Sequence, residues 1–114
     1  MESNELLKKT IAINGTNTQL DVAIEECSEL IQAICKIKRY GYTDEDCYFN
    51  LAEEMADVEI ILAELKLIFD NEDDVKSWKC DKLTRLEKRL KSKIDFDTSS
   101  GVCDLSEVKD NGRS

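Results

Sequence analysis

The sequence contains no proline and no histidine, and only four glycines among its 114 residues. Proline ends helices and glycine weakens them, so their scarcity, together with long stretches of leucine, isoleucine, glutamate and lysine, predicts an all-α protein with few breaks. The absence of histidine excludes the di-iron carboxylate bundles, which need Glu-x-x-His pairs. A zinc site or a disulfide framework is not indicated either, because the five cysteines are an odd set without Cys-x-x-Cys spacing.

Positive charge is also scarce, since 25 acidic residues outnumber 16 basic ones and give a net charge of -9. We expect no nucleic-acid partner, because broad contact with a phosphate backbone needs a positive surface. A small phosphate-bearing ligand held through metal ions remains compatible with this charge. The sequence shows no signal peptide and no run of the roughly eighteen apolar residues that a membrane span requires. We therefore expect no membrane partner and a cytoplasmic location.

Turn-forming residues divide the apolar pattern into four predicted helices, at about 4–13, 18–40, 44–69 and 74–94. Gly41 is expected to end the second helix, and the acidic segment after it to cap the third. We predict one domain at residues 1–94 and a polar, disordered tail at 95–114. The third helix is apolar nearly all round, so three partner helices are too few to cover it. We expect a helical bundle completed by oligomerisation, as a homodimer or homotetramer.

Two pairs of carboxylates lie where an apolar surface is expected. On a helical wheel Glu54 lies about 40° from Val58, inside the apolar stripe of the third helix, and Asp57 lies at the edge of that stripe. On the second helix Glu26 and Glu29 flank the main apolar stripe, which is expected to face the core. That stripe consists of Leu20, Ala23, Ile24, Cys27, Leu30, Ile31 and Ile34.

The four carboxylates converge if the second and third helices pack antiparallel, as their short connection favours. Two unit charges about 4 Å apart repel by roughly 4 kcal/mol at the effective dielectric near a protein surface, so a compensating interaction is needed. Protonation is one remedy. Binding of divalent cations is the other, and oxygen ligands suit Mg²⁺, with Mn²⁺ also possible. The alternative is that these are ordinary solvated acids of an acidic helical protein.

The segment EECSE, followed after 24 residues by EMAD, resembles the EExxE and ExxD signature of the MazG-like nucleoside triphosphate pyrophosphohydrolases, the all-α NTP pyrophosphatases. The resemblance covers about residues 19–90 and includes the closing segment KLTRLEKRL. It implies magnesium-dependent hydrolysis of a ribo- or deoxyribonucleoside triphosphate between the α and β phosphates. The products would be the monophosphate and pyrophosphate, and the expected role is cleaning of the nucleotide pool.

The same resemblance implies roles for individual residues. Glu26, Glu29, Glu54 and Asp57 are expected to be the Mg²⁺ ligands. One carboxylate, with Glu29 and Glu26 as the candidates, is also expected to act in catalysis by orienting the attacking water. The sequence does not decide which of the four carboxylates orients the water.

Substrate contacts are expected from two further regions. Lys82 and Arg85 occupy positions that are often basic in similar proteins and are expected to meet the phosphates. The alternative for this basic fourth helix is a solvated amphipathic face. Gln19, on the carboxylate side of the second helix, is a candidate contact for the base or sugar. The rival function is a non-enzymatic helical module that regulates or binds a partner and whose acids hold one cation or none.

Overall fold

The computed structural model describes residues 1–96 of the chain. The described part consists of four α-helices and has no strand: α1 Ser3–Asn14, α2 Thr16–Tyr40, α3 Glu45–Phe69 and α4 Glu72–Phe96. The predicted all-α class is confirmed, and each helix end lies within two residues of its predicted position. Because α4 continues to Phe96, the first two residues of the predicted tail are helical. The rest of that tail, 97–114, lies outside the described residues.

The connections between helices follow from local chemistry. Gly15 ends α1 with φ 91° and Gly41 ends α2 with φ 96°. Glycine adopts such positive φ angles at little cost because it has no Cβ atom. The N–H of Gly41 donates to the carbonyl of Ile37 at 2.9 Å and closes the last turn. Asp44 then caps α3, since its side chain accepts a hydrogen bond from the N–H of Cys47 at 3.0 Å. The predicted stop and the predicted cap are both confirmed.

Residues Met1–Glu72 form one compact unit, in which α1 packs against an antiparallel hairpin of α2 and α3. The antiparallel order is visible in the paired residues. Gln19, near the start of α2, is hydrogen-bonded to Glu64, near the end of α3, whereas Glu29, further along α2, lies against Glu54, earlier on α3. The apolar core between these helices is small. Its buried apolar side chains are Ala23, Ala33, Ile37 and Ile61.

The face of α2 that packs against α3 differs from the main apolar stripe predicted for this helix. Ile24 is 69% exposed, Ile31 is 61% exposed and Cys27 is also exposed. The row that faces α3 instead contains Gln19 and Ala33, which lie seven residues on either side of Glu26. Ala23 of the predicted stripe is buried, whereas the prediction was wrong for the exposed members. An apolar stripe indicates which face avoids water, but does not indicate whether the same chain covers it. The result is that Glu26 lies in the contact between the two helices.

The second compact unit begins at Asp73 and in its described part consists of α4. All side chains from 72 to 93 are exposed. Two ion pairs at i,i+4 spacing support the helix: Arg85 with Asp81 at 2.8 Å and Lys91 with Glu87 at 3.9 Å. Such exposed pairs each contribute a few tenths of a kcal/mol, about 0.3–0.5, to a helix. Among residues 1–96, no helix is long and apolar enough to span a membrane.

Candidate metal centre

Three of the four predicted carboxylates meet between α2 and α3. One carboxylate oxygen each from Glu26, Glu29 and Glu54 lies within 4.8 Å of the other two. The three-residue spacing of Glu26 and Glu29 puts both on one face of α2. The antiparallel hairpin then brings Glu54 opposite them. All three side chains are half-buried, so water screens their mutual repulsion only in part.

Asp57, the fourth predicted ligand, adjoins this group without belonging to the mutual cluster of three. Its carboxylate lies near that of Glu26, and its negative charge raises the pKa of Glu26. Both groups are acceptors when ionised, so the contact becomes a hydrogen bond only if one of them is protonated. Asp57 also faces Glu54 from one helical turn away on α3. The sequence-predicted set is therefore brought together, with Asp57 at its edge.

The cluster makes ionisation of Glu26 and Glu54 less favourable than that of an ordinary glutamate. Desolvation by burial raises the pKa of Glu26, and the negative charges of Asp57, Glu29 and Glu54 raise it further. The pKa of Glu54 is raised in the same way, by desolvation first and next by the charge of Glu29. Burial removes the hydration of the anion and like charges repel it, so both effects favour the protonated form. A cation bound between these carboxylates would instead favour their ionised form.

An orphaned atom identifies where such a cation would fit. Oε2 of Glu26 is shielded from solvent and has no hydrogen-bond partner among residues 1–96. A buried acceptor without a partner is costly, and its charged neighbours are all acids that cannot donate when ionised. Magnesium binds oxygens at 2.0–2.1 Å, so opposite ligands lie about 4.2 Å apart. Adjacent ligands lie closer, about 2.9 Å apart. The three oxygens lie within 4.8 Å of one another, so they would have to move together to bind one ion. The donor set fits Mg²⁺ or Mn²⁺.

Gln19 does not lie on the surface, because only 3% of it is exposed. Its amide is engaged at both ends: Nε2 donates to Oε1 of Glu64 at 2.5 Å, and Oε1 accepts from Nδ2 of Asn14 at 3.0 Å. A contact with a base or sugar would have to replace one of these bonds, and the contact stays a prediction. Sequence reasoning missed the buried Glu64. Glu64 lies seven residues after Asp57, so both residues lie in the same row along α3. This spacing could have predicted that Glu64 faces α2.

The predicted phosphate contacts, Lys82 and Arg85, are exposed residues of α4. The Nζ atom of Lys82 lies 5.9 Å from the centre of the Trp78 ring, within the range of a cation–π contact. One shallow concave surface of the helix is lined by four cationic side chains: Lys82, Arg85, Lys88 and Arg89. Such a surface suits an anion, although phosphate binding by these residues stays a prediction.

Known proteins offer no match: no protein-family model, no curated protein and no solved structure matches this chain.

Proposed function

We propose that the protein is a MazG-like, magnesium-dependent pyrophosphohydrolase of ribo- or deoxyribonucleoside triphosphates. Water would attack the triphosphate, the bond that joins the α and β phosphates would break, and the monophosphate and pyrophosphate would leave. The observation that carries this proposal is the meeting of Glu26, Glu29 and Glu54, with Asp57 at their edge, on a chain that has the EExxE and ExxD spacing.

The four carboxylates account for the cation requirement of this reaction. By themselves they would repel a triphosphate, so the substrate can approach only if their charge is compensated. Magnesium held by Glu26, Glu29, Glu54 and Asp57 would compensate both sets of charge and promote ionisation of a water molecule. Of the two candidates for orienting the water, Glu26 has an Oε2 atom with no partner in the described chain. That atom is the one assigned to the cation, so it does not favour Glu26 over Glu29 as the group that orients the water.

The remaining substrate contacts belong to the same proposal. Lys82 and Arg85 would bind phosphate oxygens, supported by their place on the most basic helix of an otherwise acidic chain. Gln19 would contact the base or sugar after releasing Asn14 or Glu64. The enzyme would clean the nucleotide pool of the cytoplasm and would act as a homodimer or homotetramer, supported by the large apolar side chains that one copy leaves exposed.

The rival function is a non-enzymatic helical module that regulates or binds another protein. The observation in its favour is the same exposed apolar surface on the described helices, which includes Ile24, Ile31 and Phe69. Under this alternative the carboxylates would hold one cation or none, and no nucleotide would be hydrolysed. A bound cation alone would not separate the two functions, because both allow it.

The experiment that separates them is measurement of pyrophosphate release, as distinct from orthophosphate release, from each ribo- and deoxyribonucleoside triphosphate. The wild-type chain is assayed with magnesium and with chelator, beside Glu54→Gln and the control Glu53→Gln. Glu53 is the exposed neighbour of Glu54, so the control makes the same chemical change outside the cluster. We expect magnesium-dependent pyrophosphate from wild type and control, and none from Glu54→Gln. A folded wild-type protein that releases no pyrophosphate from any of these nucleotides would contradict the proposal.

A further inference from the structure

A chain of three hydrogen-bonded side chains links α1, α2 and α3. Nε2 of Gln19 donates to Oε1 of Glu64 at 2.5 Å, and Oε1 of Gln19 accepts from Nδ2 of Asn14 at 3.0 Å. Gln19 is 3% exposed and Glu64 is 5% exposed. Glu64 is the only buried acidic residue among residues 1–94. Burial of a carboxylate is costly, so its place here calls for a role, and the proposed reaction does not use it.

Glu64 fixes which end of the Gln19 amide faces it. An ionised carboxylate has acceptor oxygens only, whereas an amide has a donor end and an acceptor end. The Nε2 end of Gln19 therefore faces Glu64, because the reversed amide would bring two acceptor oxygens together. The Oε1 end is left facing Asn14. Gln19 by itself could offer a ligand either a donor or an acceptor, and Glu64 leaves only the acceptor.

The two hydrogen bonds of Gln19 are not equally easy to replace. Glu64 is buried on α3, and loss of its bond would leave a shielded carboxylate oxygen without its donor. Asn14 is exposed at the end of α1, a helix with no buried residue, and it precedes the turn at Gly15. Its side chain can rotate into water and regain hydrogen bonds there. A ligand that reaches Gln19 therefore displaces Asn14, and the ligand's own donor takes the place of Nδ2.

Gln19 lies along the same α2–α3 contact as the carboxylate cluster. Gln19 lies seven residues before Glu26 on α2, and Glu64 lies seven residues after Asp57 on α3. Because the helices run antiparallel, both steps lead in the same direction, over about 10.5 Å. That distance is comparable with the length of a nucleoside. A triphosphate held at the cluster through magnesium can therefore place its base beside Gln19.

We propose that Glu64 is the positioning residue that sets base specificity: it holds Gln19 so that Oε1 accepts a hydrogen bond from an N–H of the base, which displaces Asn14. The inference rests on the proposed function for the place of the phosphates, and adds how the base is read. Amino and keto bases carry their N–H groups at different positions of the ring edge. A single fixed acceptor accordingly favours one member of each amino–keto pair, such as cytosine and uracil or adenine and hypoxanthine.

The first experiment measures nucleotide binding by calorimetry, in magnesium, without turnover. The probes are the deoxycytidine, deoxyuridine, deoxyadenosine and deoxyinosine triphosphates with an imido group in place of the oxygen between the α and β phosphates, so that this bond is not hydrolysed. In the pair that binds more tightly, we expect wild type to prefer one member about tenfold or more, because the other member leaves the buried Gln19 oxygen unpaired. Equal affinities within both pairs, or no binding of any probe, would overturn the proposal.

The same probes test the role of Glu64 directly. In Glu64→Gln the new amide can donate as well as accept, so Gln19 can turn over and offer either end. We expect the preference within the pair to fall to nearly one. Glu59→Gln is the matched control, because Glu59 is an exposed residue of α3 and loses the same charge. It should keep the wild-type preference. A Glu64→Gln protein that discriminates as wild type does would show that Glu64 does not position the amide.

A variant at the exposed end of the chain tests the displacement of Asn14. Asn14→Ala leaves Oε1 of Gln19 open, so the base no longer has to displace a hydrogen bond. We expect the preferred probe to bind about three- to tenfold more tightly. Asn17→Ala, at an exposed asparagine of α2, should bind as wild type does. Unchanged or weaker binding by Asn14→Ala would argue that the base does not take the place of Asn14.

Failure of this inference and failure of the proposed hydrolysis give different results. Discriminating binding of the imido probes, with no pyrophosphate released from the natural triphosphates, would leave the role of Glu64 standing and contradict the hydrolase. Magnesium-dependent pyrophosphate release with equal affinity for both members of each pair would do the reverse.

Discussion

Replacement of Glu26 by glutamine should stabilise the metal-free protein. Glu26 is half-buried against three other acids, and its Oε2 has no partner within residues 1–96. Glutamine has nearly the same shape, removes one negative charge from the cluster and adds an amide that can donate to a neighbouring carboxylate. Most polar substitutions at a helix contact destabilise a protein. A gain in stability would therefore point to charge repulsion as the dominant effect.

The expected size follows from the geometry of the cluster. The Glu26 and Glu29 oxygens approach within 4.8 Å. Two unit charges at that distance repel by about 0.9 kcal/mol in water and about 3.5 kcal/mol at an effective dielectric of 20. Because Glu26 is only half-buried, solvent screens the pair and we take a value near the lower limit. We expect the free energy of unfolding to rise by about 1 kcal/mol, which corresponds to about 4 °C in Tm for a chain of this size.

The assay is thermal and urea unfolding followed by circular dichroism, in chelator and again in magnesium. Glu25→Gln is the matched control, because Glu25 is the exposed neighbour of Glu26. This substitution makes the same charge change outside the cluster. In chelator only Glu26→Gln should gain stability. In magnesium, wild type should be stabilised by ligand binding and Glu26→Gln should respond less, since it lacks one anionic ligand. Equal stability of wild type and Glu26→Gln in chelator would refute the repulsion, and equal stabilisation by magnesium would refute the metal centre.

Three further outcomes are expected. The folded-state pKa of Glu26 is raised above its ordinary value of 4.5, so between these two values the native state binds more protons than the unfolded state. The stability of the metal-free protein should therefore rise as the pH falls from neutrality toward 4.5, and should rise less in Glu26→Gln. Urea unfolding measured as a function of pH tests this difference. Glu64→Ala leaves Nε2 of the buried Gln19 without a partner and should lower the free energy of unfolding by about 1–3 kcal/mol. Glu64→Gln keeps a hydrogen-bonding oxygen and should cost less, and equal losses would contradict the role of the bond. Asp44→Ala removes the N-terminal cap of α3 and should lower the free energy of unfolding by about 1 kcal/mol. Asp46→Ala, in the same turn, should cost less, and the reverse order in thermal unfolding would argue against the cap.

Local features of the sequence predicted the helices and the approximate place of the cluster. Helix ends depend on residues within one turn, such as Gly41 with its positive φ and Asp44 with its capping oxygen. The three-residue spacing of Glu26 and Glu29 puts them on one helical face in any helical structure. A short connection makes the next helix antiparallel, which brings Glu54 within reach. These predictions needed only the backbone geometry of a helix and the length of one loop.

The sequence by itself determined the four helices, the acids on α2 and α3 and the apolar stripe of each helix. Only the tertiary structure decided which stripe packs within the chain. It buried Gln19 against Glu64, 45 residues away, and left Ile31 in solvent. The physical reason is range: helical periodicity comes from hydrogen bonds four residues apart, whereas burial depends on which distant faces meet and how closely they fit.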